Sequence, residues 1–478
     1  MPSGTRKSSP AIEAGGPLPD EGGILRHLRE CLRALGVTPP VALAVSGGGD
    51  SMALARLFAE AAPGLDLSPE EIHAVTVDHG LRPEAAREAE TVGEWMRTLG
   101  FSHDILVWRS AAPGPNLQAA ARHARYGLLV HWCARRGVRT LLTAHTADDQ
   151  AETVLMRLAR GSGVDGLSGM APVRVMEAVD GTRVRLLRPL LDVPRADLRA
   201  CLEARGVTWF DDPSNENPAF GRVRARHALA LLQPLGLSRE RLVKTAAQMA
   251  RARAALEEAV DAAERQSVTA HPAGFRWLDP SVFARVPGEV ALRLLARVLM
   301  SVSGASYRPR LERLERALAA LKGGLARART VGGCRLVPER SGRSGRSGRV
   351  LVCREHRAAQ APVSVTPGSI VIWDGRFRAR LAAGVEGGEI GPLGTTGLSR
   401  LRGLEGFDAS DVPSPVRSTL PAFFRAGEAL AAPHLGIGLA GLEIEHLEPA
   451  GDRLLRFPPP DATPADYKGW FSDGGTLF

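Results

Sequence analysis

A glycine-rich segment between a short apolar run and an amphipathic pattern constrains the fold of this chain most strongly. The apolar run Val41–Val45 has the length of a buried strand, and a helical pattern runs from Met52 to Ala62. Ser46–Ser51 lies between them with the sequence Ser-Gly-Gly-Gly-Asp-Ser. Glycine permits positive φ and close approach to a ligand, and the N–H groups at a helix N-terminus attract anions. The pattern predicts a phosphate-binding loop, although a tight strand-to-helix connection has the same appearance. It is not a Walker A loop, because no Gly-Lys-Ser/Thr follows.

Length, cysteine usage and charge narrow the class of protein. A chain of 478 residues exceeds one ordinary core, so two to four domains are expected. No apolar run approaches the roughly 18 residues of a membrane span, and the first 23 residues lack the apolar core of a secretory signal. Five scattered cysteines without a Cys-x-x-Cys pair argue against disulfide, zinc and iron–sulfur frameworks and favour a reducing cytoplasm. The net charge of +9 favours a polyanionic partner such as a nucleic acid.

Strand and helix patterns alternate from Ile24 to Asp211. Strands are predicted at Ile72–Val77, Ile105–Trp108 and Arg139–Ala144, and helices at Glu84–Leu99 and from Asn116 to Arg135. This alternation predicts an α/β domain with a parallel sheet and helices on both faces. Ligands bind such sheets at the carboxyl ends of the strands, where the glycine loop, Asp78 and His145 are all expected.

The rest of the chain has a different pattern. Helices are predicted after Ser238, over Pro287–Met300 and over Pro309–Leu321, followed by a hairpin of Cys334–Val337 and Val350–Cys353. The Ser-Gly-Arg repeat Ser341–Arg349 between the two hairpin strands is expected to be a flexible loop. The predicted organisation is a disordered tail 1–23, a catalytic domain 24–217, a helical domain 218–358, a small mixed or β-rich domain 359–450 and a poorly ordered tail 451–478.

The segment His145–Thr153 holds the best candidates for chemistry. Thr146 and Asp149 form a capping box, which needs no chemistry to explain it. Capping does not account for His145, or for Glu152, which lies one helical turn beyond Asp149 on the same face. Two carboxylates beside a phosphate loop could hold Mg²⁺ or the ammonium of an amine substrate.

Other charged residues have two interpretations each. Asp50 is either a first-turn acid that favours the helix dipole or a ligand of Mg²⁺ beside a triphosphate. Arg122 and Arg125 are either solvated helix charges or phosphate contacts, since a guanidinium matches phosphate geometry. His79 and His145 are either ordinary strand-end histidines or site residues.

Four motifs together resemble the tRNA(Ile)-lysidine synthetase family. In chain order they are Ser-Gly-Gly-x-Asp-Ser from Ser46, Val-Asp-His-Gly-Leu-Arg from Val77 to Arg82, Ala-Arg-x-x-Arg-Tyr from Ala121, and His-x-x-Asp-Asp-Gln-x-Glu-Thr from His145. Arg188–Leu191, Trp209–Asn215 and Phe220–His227 agree with the same family. The resemblance is dense over residues 40 to 235 and looser beyond. The glycine loop alone specifies only the PP-loop ATP pyrophosphatase superfamily, with its adenine nucleotide α-hydrolase-like fold.

The resemblance implies a two-step ligation. The ring-position-two carbonyl oxygen of the wobble cytidine, in the CAU anticodon of isoleucine tRNA, attacks the α-phosphate of ATP and releases pyrophosphate. The ε-amino group of free L-lysine then displaces AMP and forms lysidine. The implied cofactors are ATP and Mg²⁺, the implied partners are this tRNA and L-lysine, and a homodimer is compatible with the pattern.

The resemblance also implies residue roles. Asp50, His145, Asp149 and Glu152 would be catalytic, with His145 in the adenylation step and Asp50 acting through Mg²⁺. The ATP phosphates would be bound by Ser46, Gly47, Gly48, Gly49, Asp50, Ser51 and Arg122, and the substrate side would involve Asp149, Glu152, Arg222 and Arg226. The chain departs from the family pattern in about forty residues before the glycine loop, in the Ser-Gly-Arg insert and in Val223, where an Asn would be usual after Arg222.

Two alternatives remain open at the level of sequence. A PP-loop enzyme that thiolates a tRNA base would share the glycine loop, although the absence of a Cys-x-x-Cys pair counts against it. A non-catalytic, nucleotide-dependent RNA-binding module would share the loop and the charge, but would not need His145, Asp149 and Glu152 together.

Overall fold

The computed structural model describes residues 20–80, 84–108, 117–211, 221–341, 345–447 and 454–456. The chain divides into two compact units, the first ending at Ala254 and the second beginning at Ala255. The domain boundaries expected from the sequence stay predictions. Asn116, Arg82 and the motif residues 212–220 lie outside the described residues, as does most of both terminal tails.

A largely parallel sheet forms the centre of the first unit. Its strands are β1 (Val41–Ala44), β2 (Ile72–Asp78), β3 (Ser102–Val107), β4 (Thr140–Leu142), β5 (Val173–Glu177) and β6 (Arg183–Leu187). Within this unit the strands lie in the order β5-β6-β4-β1-β2-β3. β1 pairs in parallel with β2 and β4, and β5 alone of these six runs antiparallel to its neighbour β6. The predicted α/β class is confirmed, and β5 and β6 extend the sheet beyond the predicted strands.

Helices flank this sheet. They are α1 (Asp20–Ala34), α2 (Gly49–Ala61), α3 (Ala85–Thr98), α4 (Leu117–Arg135), α5 (Ala147–Leu158), α6 (Val164–Leu167), α7 (Arg195–Ala204), α8 (Gly221–Leu232) and α9 (Arg239–Ser267), and the division between the units falls within α9. Leu43 of β1 and Phe58 of α2 are fully buried in the main core. Because α1 begins at Asp20, the expectation of disorder through residue 23 is wrong for 20–23.

A second, smaller core joins α5, α8 and α9. Ala151 and Val154 of α5 are buried against Leu242 and Ala246 of α9, with Leu229 of α8 packed beside them. This packing holds the arginine-rich α8 against the acidic α5, which positions the site described below.

The second unit begins with a helical layer on an antiparallel sheet. Its helices are α10 (Val282–Arg285), α11 (Gly288–Ser303) and α12 (Leu311–Lys322), and its strands are β7 (Val268–Ala270), β8 (Arg276–Leu278), β9 (Arg329–Val331), β10 (Cys334–Ser341) and β11 (Gly345–Arg354), in the order β7-β8-β11-β10-β9.

The strands β10 and β11 continue into the Ser-Gly-Arg repeat. After a register shift the pairing resumes with Arg340 opposite Arg346 and ends with Ser341 opposite Gly345, so the expected flexible loop over Ser341–Arg349 is wrong for these strand residues. Arg349 pairs with Glu339 at 2.9 Å and lies over the Trp277 ring at 4.8 Å. Ladder hydrogen bonds and these contacts offset the conformational entropy that favours a loop.

Two antiparallel sheets complete the second unit and confirm its predicted β-rich character. Their strands are β12 (Val363–Val365), β13 (Ile370–Trp373), β14 (Phe377–Leu381), β15 (Gly388–Pro392), β16 (Pro421–Arg425), β17 (Glu428–Ala431) and β18 (Leu442–His446), accompanied by α13 (Gly394–Leu401) and α14 (Ser414–Arg417). One sheet has the order β12-β15-β16-β17 and the other β13-β14-β18. A further strand, β19 (Leu454–Arg456), lies in the segment expected to be poorly ordered.

Candidate active site

The glycine loop lies between β1 and α2, as the sequence predicts. Gly47 has a φ of 83°, and a Cβ there would lie 2.7 Å from Val92 Cγ2 and 2.9 Å from Phe210 Cδ2, so this position requires glycine. The Ser51 hydroxyl donates to the Gly48 carbonyl at 2.9 Å and accepts from the Ser46 N–H at 3.2 Å. The serines of the loop therefore stabilise its conformation. Because α2 follows β1, the N-terminus of α2 lies at the carboxyl edge of the sheet.

Asp50, in the first turn of α2, faces an arginine from another element. Its Oδ2 accepts a hydrogen bond from Nε of Arg195 at 2.9 Å. Arg195 is the first residue of α7, and its backbone N–H donates to Oδ2 of Asp148 at 2.8 Å. Burial raises the pKa of the Asp50 carboxyl against the opposing attraction of Arg195.

Asp149 caps α5 with one carboxylate oxygen and faces two arginines with the other. Its Oδ2 accepts from the Thr146 N–H at 2.9 Å and from the Thr146 hydroxyl at 3.0 Å, which completes the predicted capping box of α5. Its Oδ1 faces Arg195 Nη2 and Arg222 Nη1, each at 3.4 Å. Burial opposes ionisation of Asp149, but the Arg222 and Arg195 guanidiniums outweigh it and lower the pKa of this carboxyl.

Glu152 lies one turn further along α5 and is 1% exposed. Its Oε1 accepts from Nε of Arg226 at 3.0 Å, and among the described residues its Oε2 has no hydrogen-bond partner. Burial, followed by the negative charge of Asp149, raises the pKa of Glu152. A buried acceptor without a donor costs free energy, so Oε2 is suited to a cationic ligand.

His145 follows β4 at the same edge of the sheet. Its Nδ1 lies 2.9 Å from the Thr143 hydroxyl, and its Nε2 lies 3.5 Å from Nη2 of Arg122. Because a guanidinium only donates, Nε2 is the acceptor and the ring proton is assigned to Nδ1. Burial, with the charges of Arg188 and Arg122, holds the pKa of His145 well below its usual range, so the imidazole is neutral.

Arginines crowd the neighbouring Tyr126. Arg122 Nη2 donates to the Tyr126 hydroxyl at 3.3 Å, and the guanidiniums of Arg122 and Arg125 lie 5.2 Å and 5.9 Å from the ring centre. Burial alone would raise the pKa of Tyr126, but Arg122 and Arg188 lower it to about 8. This concentration of positive charge beside His145 suits a phosphate-bearing ligand.

Comparison with known proteins agrees with this geometry. A family model described as a PP-loop domain matches residues 25–232. The tRNA(Ile)-lysidine synthase of Ruegeria pomeroyi is 42% identical over 359 residues, which are 75% of this chain and 80% of that protein. The protein of the same name from Methylobacterium sp. (strain 4-46) is 45% identical over 310 residues, 64% of this chain and 86% of that protein.

This chain belongs to the tRNA(Ile)-lysidine synthase family. The resemblance found in the motifs is therefore confirmed. Among solved structures, the U34-tRNA thiolase NcsA from Methanococcus maripaludis is similar with a TM-score of 0.38 and 17% identity, covering 48% of this chain and 78% of that one. That likeness is too slight to support an inference.

For a lysidine synthase, the residues selected from the motifs lie close together. The glycine loop, Arg122, His145, Asp149 and Glu152 all lie at the carboxyl edge of the sheet, and α8 places Arg222 and Arg226 on the two carboxylates of α5. His79 lies further along this edge, its ring 6.0 Å from that of Trp108, and burial followed by Arg125 lowers its pKa to about 4.

Arg195 is the site residue that the motifs did not indicate. Two features could have drawn attention to it: it follows Pro194 at the start of a helix, and that helix comes after a strand ending at this edge. Its partner Asp50 is 145 residues away in the chain. A contact between residues so far apart leaves no periodic pattern in the sequence, so it can be identified only from the folded structure.

The cysteines do not form a reactive pair. All five are buried thiols outside any disulfide, and burial raises the pKa of Cys334 to about 12 and that of Cys353 to about 11. Thiols of this kind are poor nucleophiles and poor metal ligands at neutral pH. The thiolation alternative is accordingly not favoured.

Proposed function

We propose that this chain ligates L-lysine to ring carbon two of the wobble cytidine in the CAU anticodon of tRNA(Ile), using ATP and releasing pyrophosphate and AMP. The observation that carries the proposal is the pair Asp149 and Glu152, held on one face of α5 at the sheet edge that also bears the glycine loop. This arrangement supports an ammonium site beside a phosphate site in a member of the lysidine synthase family.

In the first step the cytidine carbonyl oxygen attacks the α-phosphate of ATP. The N–H groups at the start of α2 and the Arg122 guanidinium would take up charge on the phosphates. Neutral His145, with its Nε2 directed toward Arg122, would orient that guanidinium during adenylation. Contacts with the Tyr126 hydroxyl and with Nε2 of His145 position the Arg122 guanidinium, which would keep the reorganisation energy low.

In the second step the lysine ε-amino group attacks ring carbon two and AMP leaves. Asp149 and Glu152 would hold the ammonium and orient it. The amine must lose a proton before it attacks, and Glu152, whose pKa is raised by burial and by Asp149, suits the role of proton acceptor. The unpartnered Oε2 of Glu152 is the atom we assign to this contact.

Mg²⁺ fits the site as an ion that Asp50 and the phosphates of ATP would coordinate together. Among the described residues no group of three or more His, Cys, Asp or Glu side chains could hold a metal. Mg²⁺ commonly binds through one or two carboxylates plus substrate phosphates, and Asp50 offers one such carboxylate. Bound there, the ion would neutralise charge on the leaving pyrophosphate.

The tRNA must deliver its wobble base to this site. Leaving the anticodon stack costs a few kcal/mol, which contacts to the tRNA elsewhere must offset. Arg222 and Arg226 are the candidates on the substrate side, since each reaches from α8 to a carboxylate of α5. None of the described helices has the length and apolar character of a membrane span. We propose that the enzyme acts in the cytoplasm, and the homodimer stays a prediction.

The deciding experiment is incorporation of labelled L-lysine into a transcript of tRNA(Ile) with a CAU anticodon, with and without ATP and Mg²⁺. We expect ATP-dependent labelling that disappears when the wobble C is changed to U. ATP cleavage to AMP and pyrophosphate without labelling would contradict lysine as the substrate. Neither labelling nor cleavage would contradict the whole proposal.

A further inference from the structure

We propose that Arg195 couples the two substrate sites, so that L-lysine binds tightly only when a triphosphate occupies the glycine loop. The Arg195 guanidinium lies between the carboxylates of Asp50 and Asp149 and would turn toward the phosphates when ATP binds. This inference rests on the proposed function, because it takes L-lysine as the ligand of Asp149 and Glu152.

Arg195 contacts both sites with one guanidinium. Its Nε lies 2.9 Å from Oδ2 of Asp50, the residue that follows the three glycines of the loop. Its Nη2 lies 3.4 Å from Oδ1 of Asp149, beside Glu152. A change in the position of this guanidinium must therefore alter its contacts with both Asp50 and Asp149.

The backbone of Arg195 is anchored more firmly than its side chain. Its N–H donates to Asp148 at 2.8 Å, and Asp148 also lies 3.4 Å from Nη1 of Arg239. The side chain of Arg195 is 22% exposed and joins the guanidinium to the backbone through a flexible stem. The guanidinium can therefore change partner while α7 remains in place.

The balance of charge shows which way the coupling acts. Arg222 and Arg226 alone balance the charges of Asp149 and Glu152, so the third guanidinium opposes entry of another cation. A triphosphate carries more negative charge than the single carboxylate of Asp50, and guanidinium groups match phosphate oxygens well. Moving Arg195 toward the phosphates would release Asp149 for the lysine ammonium.

The test is calorimetric titration of the full chain with L-lysine, with and without saturating α,β-methylene-ATP. For the wild type we expect lysine to bind at least about 10-fold more tightly with the analogue present, and the analogue to gain the same factor from lysine. In Arg195→Gln we expect tighter lysine binding without the analogue and a ratio below about 2-fold. Arg195→Lys keeps the charge and should retain part of the coupling.

Arg199→Gln provides the matched control. Arg199 lies one turn further along α7, is half exposed and pairs with Asp211 at 2.9 Å, so its loss removes the same charge without touching either site. Its coupling ratio should equal that of the wild type. Thermal unfolding of each variant verifies that it is folded.

Three results would overturn the coupling. They are a wild-type ratio near 1, an unchanged ratio in folded Arg195→Gln, and an equal loss of the ratio in Arg199→Gln. If the wild type attaches lysine to tRNA in any of these cases, the proposed function stands and only the coupling fails. A wild type that neither binds nor attaches lysine would contradict both.

Discussion

Asp149 shows how one side chain can cap a helix and also face a candidate site. One carboxylate oxygen caps α5 through Thr146, and the other faces Arg195 and Arg222. A capping pattern in a sequence therefore does not exclude a chemical role for the same side chain. Glu152, which caps nothing, separates the two roles and is the better residue to change.

Glu152→Gln should block the lysine step and leave adenylation. The amide keeps the size of the side chain and an oxygen for Arg226, but it cannot hold an ammonium or accept its proton. We expect lysine incorporation to fall by about 100-fold or more, while tRNA-dependent pyrophosphate release continues. Glu240→Gln, at an exposed position beside Arg239, should change neither. Equal loss of both activities in Glu152→Gln would contradict the assignment.

Gly47→Ala tests the close packing under the glycine loop. The positive φ costs an alanine about 1 to 2 kcal/mol, and displacement of Val92 and Phe210 adds about 1 to 3 kcal/mol. Gly36→Ala is the matched control, since its φ is 60° but a Cβ there meets nothing within 4 Å. Urea unfolding should show the larger loss at Gly47, together with weaker binding of an ATP analogue. Equal losses at the two glycines would contradict a packing requirement.

At the scale of elements, a charged contact joins α1 to the segment between β6 and α7. His27 of α1 lies 3.0 Å from Oδ1 of Asp192 and 3.4 Å from the Cys31 sulfur. Hydrogen bonds to Asp192 and then Cys31 raise the pKa of His27 to about 10, against the effect of burial. A raised pKa means that the protonated form stabilises the fold. This stabilisation is complete below the unfolded pKa of about 6.5 and is lost as the pH rises through about 10.

His27→Gln should therefore be less stable than the wild type by about 2 kcal/mol at pH 6. The difference should shrink between pH 7 and pH 10 as the wild type loses the proton. Urea unfolding across this pH range measures the difference in stability. Asp192→Asn should show a difference that shrinks over the same pH range, because it removes the other partner of the contact. A difference that stays constant from pH 7 to pH 10 would exclude the charged contact as its source.

Local patterns predicted the elements of this fold better than the contacts between them. The strand before the glycine loop and the capping box at Thr146 depend on neighbouring residues, and both were predictable from sequence. β5 and β6 were not predicted, and neither was the pairing through the Ser-Gly-Arg repeat, because Gly and Ser carry little strand signal and the ladder forms across the hairpin. Arg195 was missed for a related reason, since its role depends on Asp50, which is distant in the chain.

At the scale of the whole molecule, charge dominates the expected encounter with tRNA. The chain has 61 lysines and arginines against 52 acidic residues, and nearly all of the basic ones are arginine. Many arginines of the site are already paired with carboxylates, as Arg222 and Arg226 are. Contacts to the tRNA backbone must therefore come largely from other surfaces of the chain, where pairing is exposed and weak.

Binding of tRNA(Ile) should consequently weaken steeply with salt. Each phosphate neutralised adds about 0.7 to 0.9 to the slope of log affinity against log salt, so six contacts give about a 300- to 2,000-fold loss of affinity between 50 and 200 mM salt. Fluorescence anisotropy with labelled tRNA measures the slope. Substituting Arg222 by Gln should lower it by at most about one contact, because a single residue neutralises a single phosphate. A slope near zero would mean that shape and base contacts hold the tRNA, and the excess of basic residues would then have no part in its recognition.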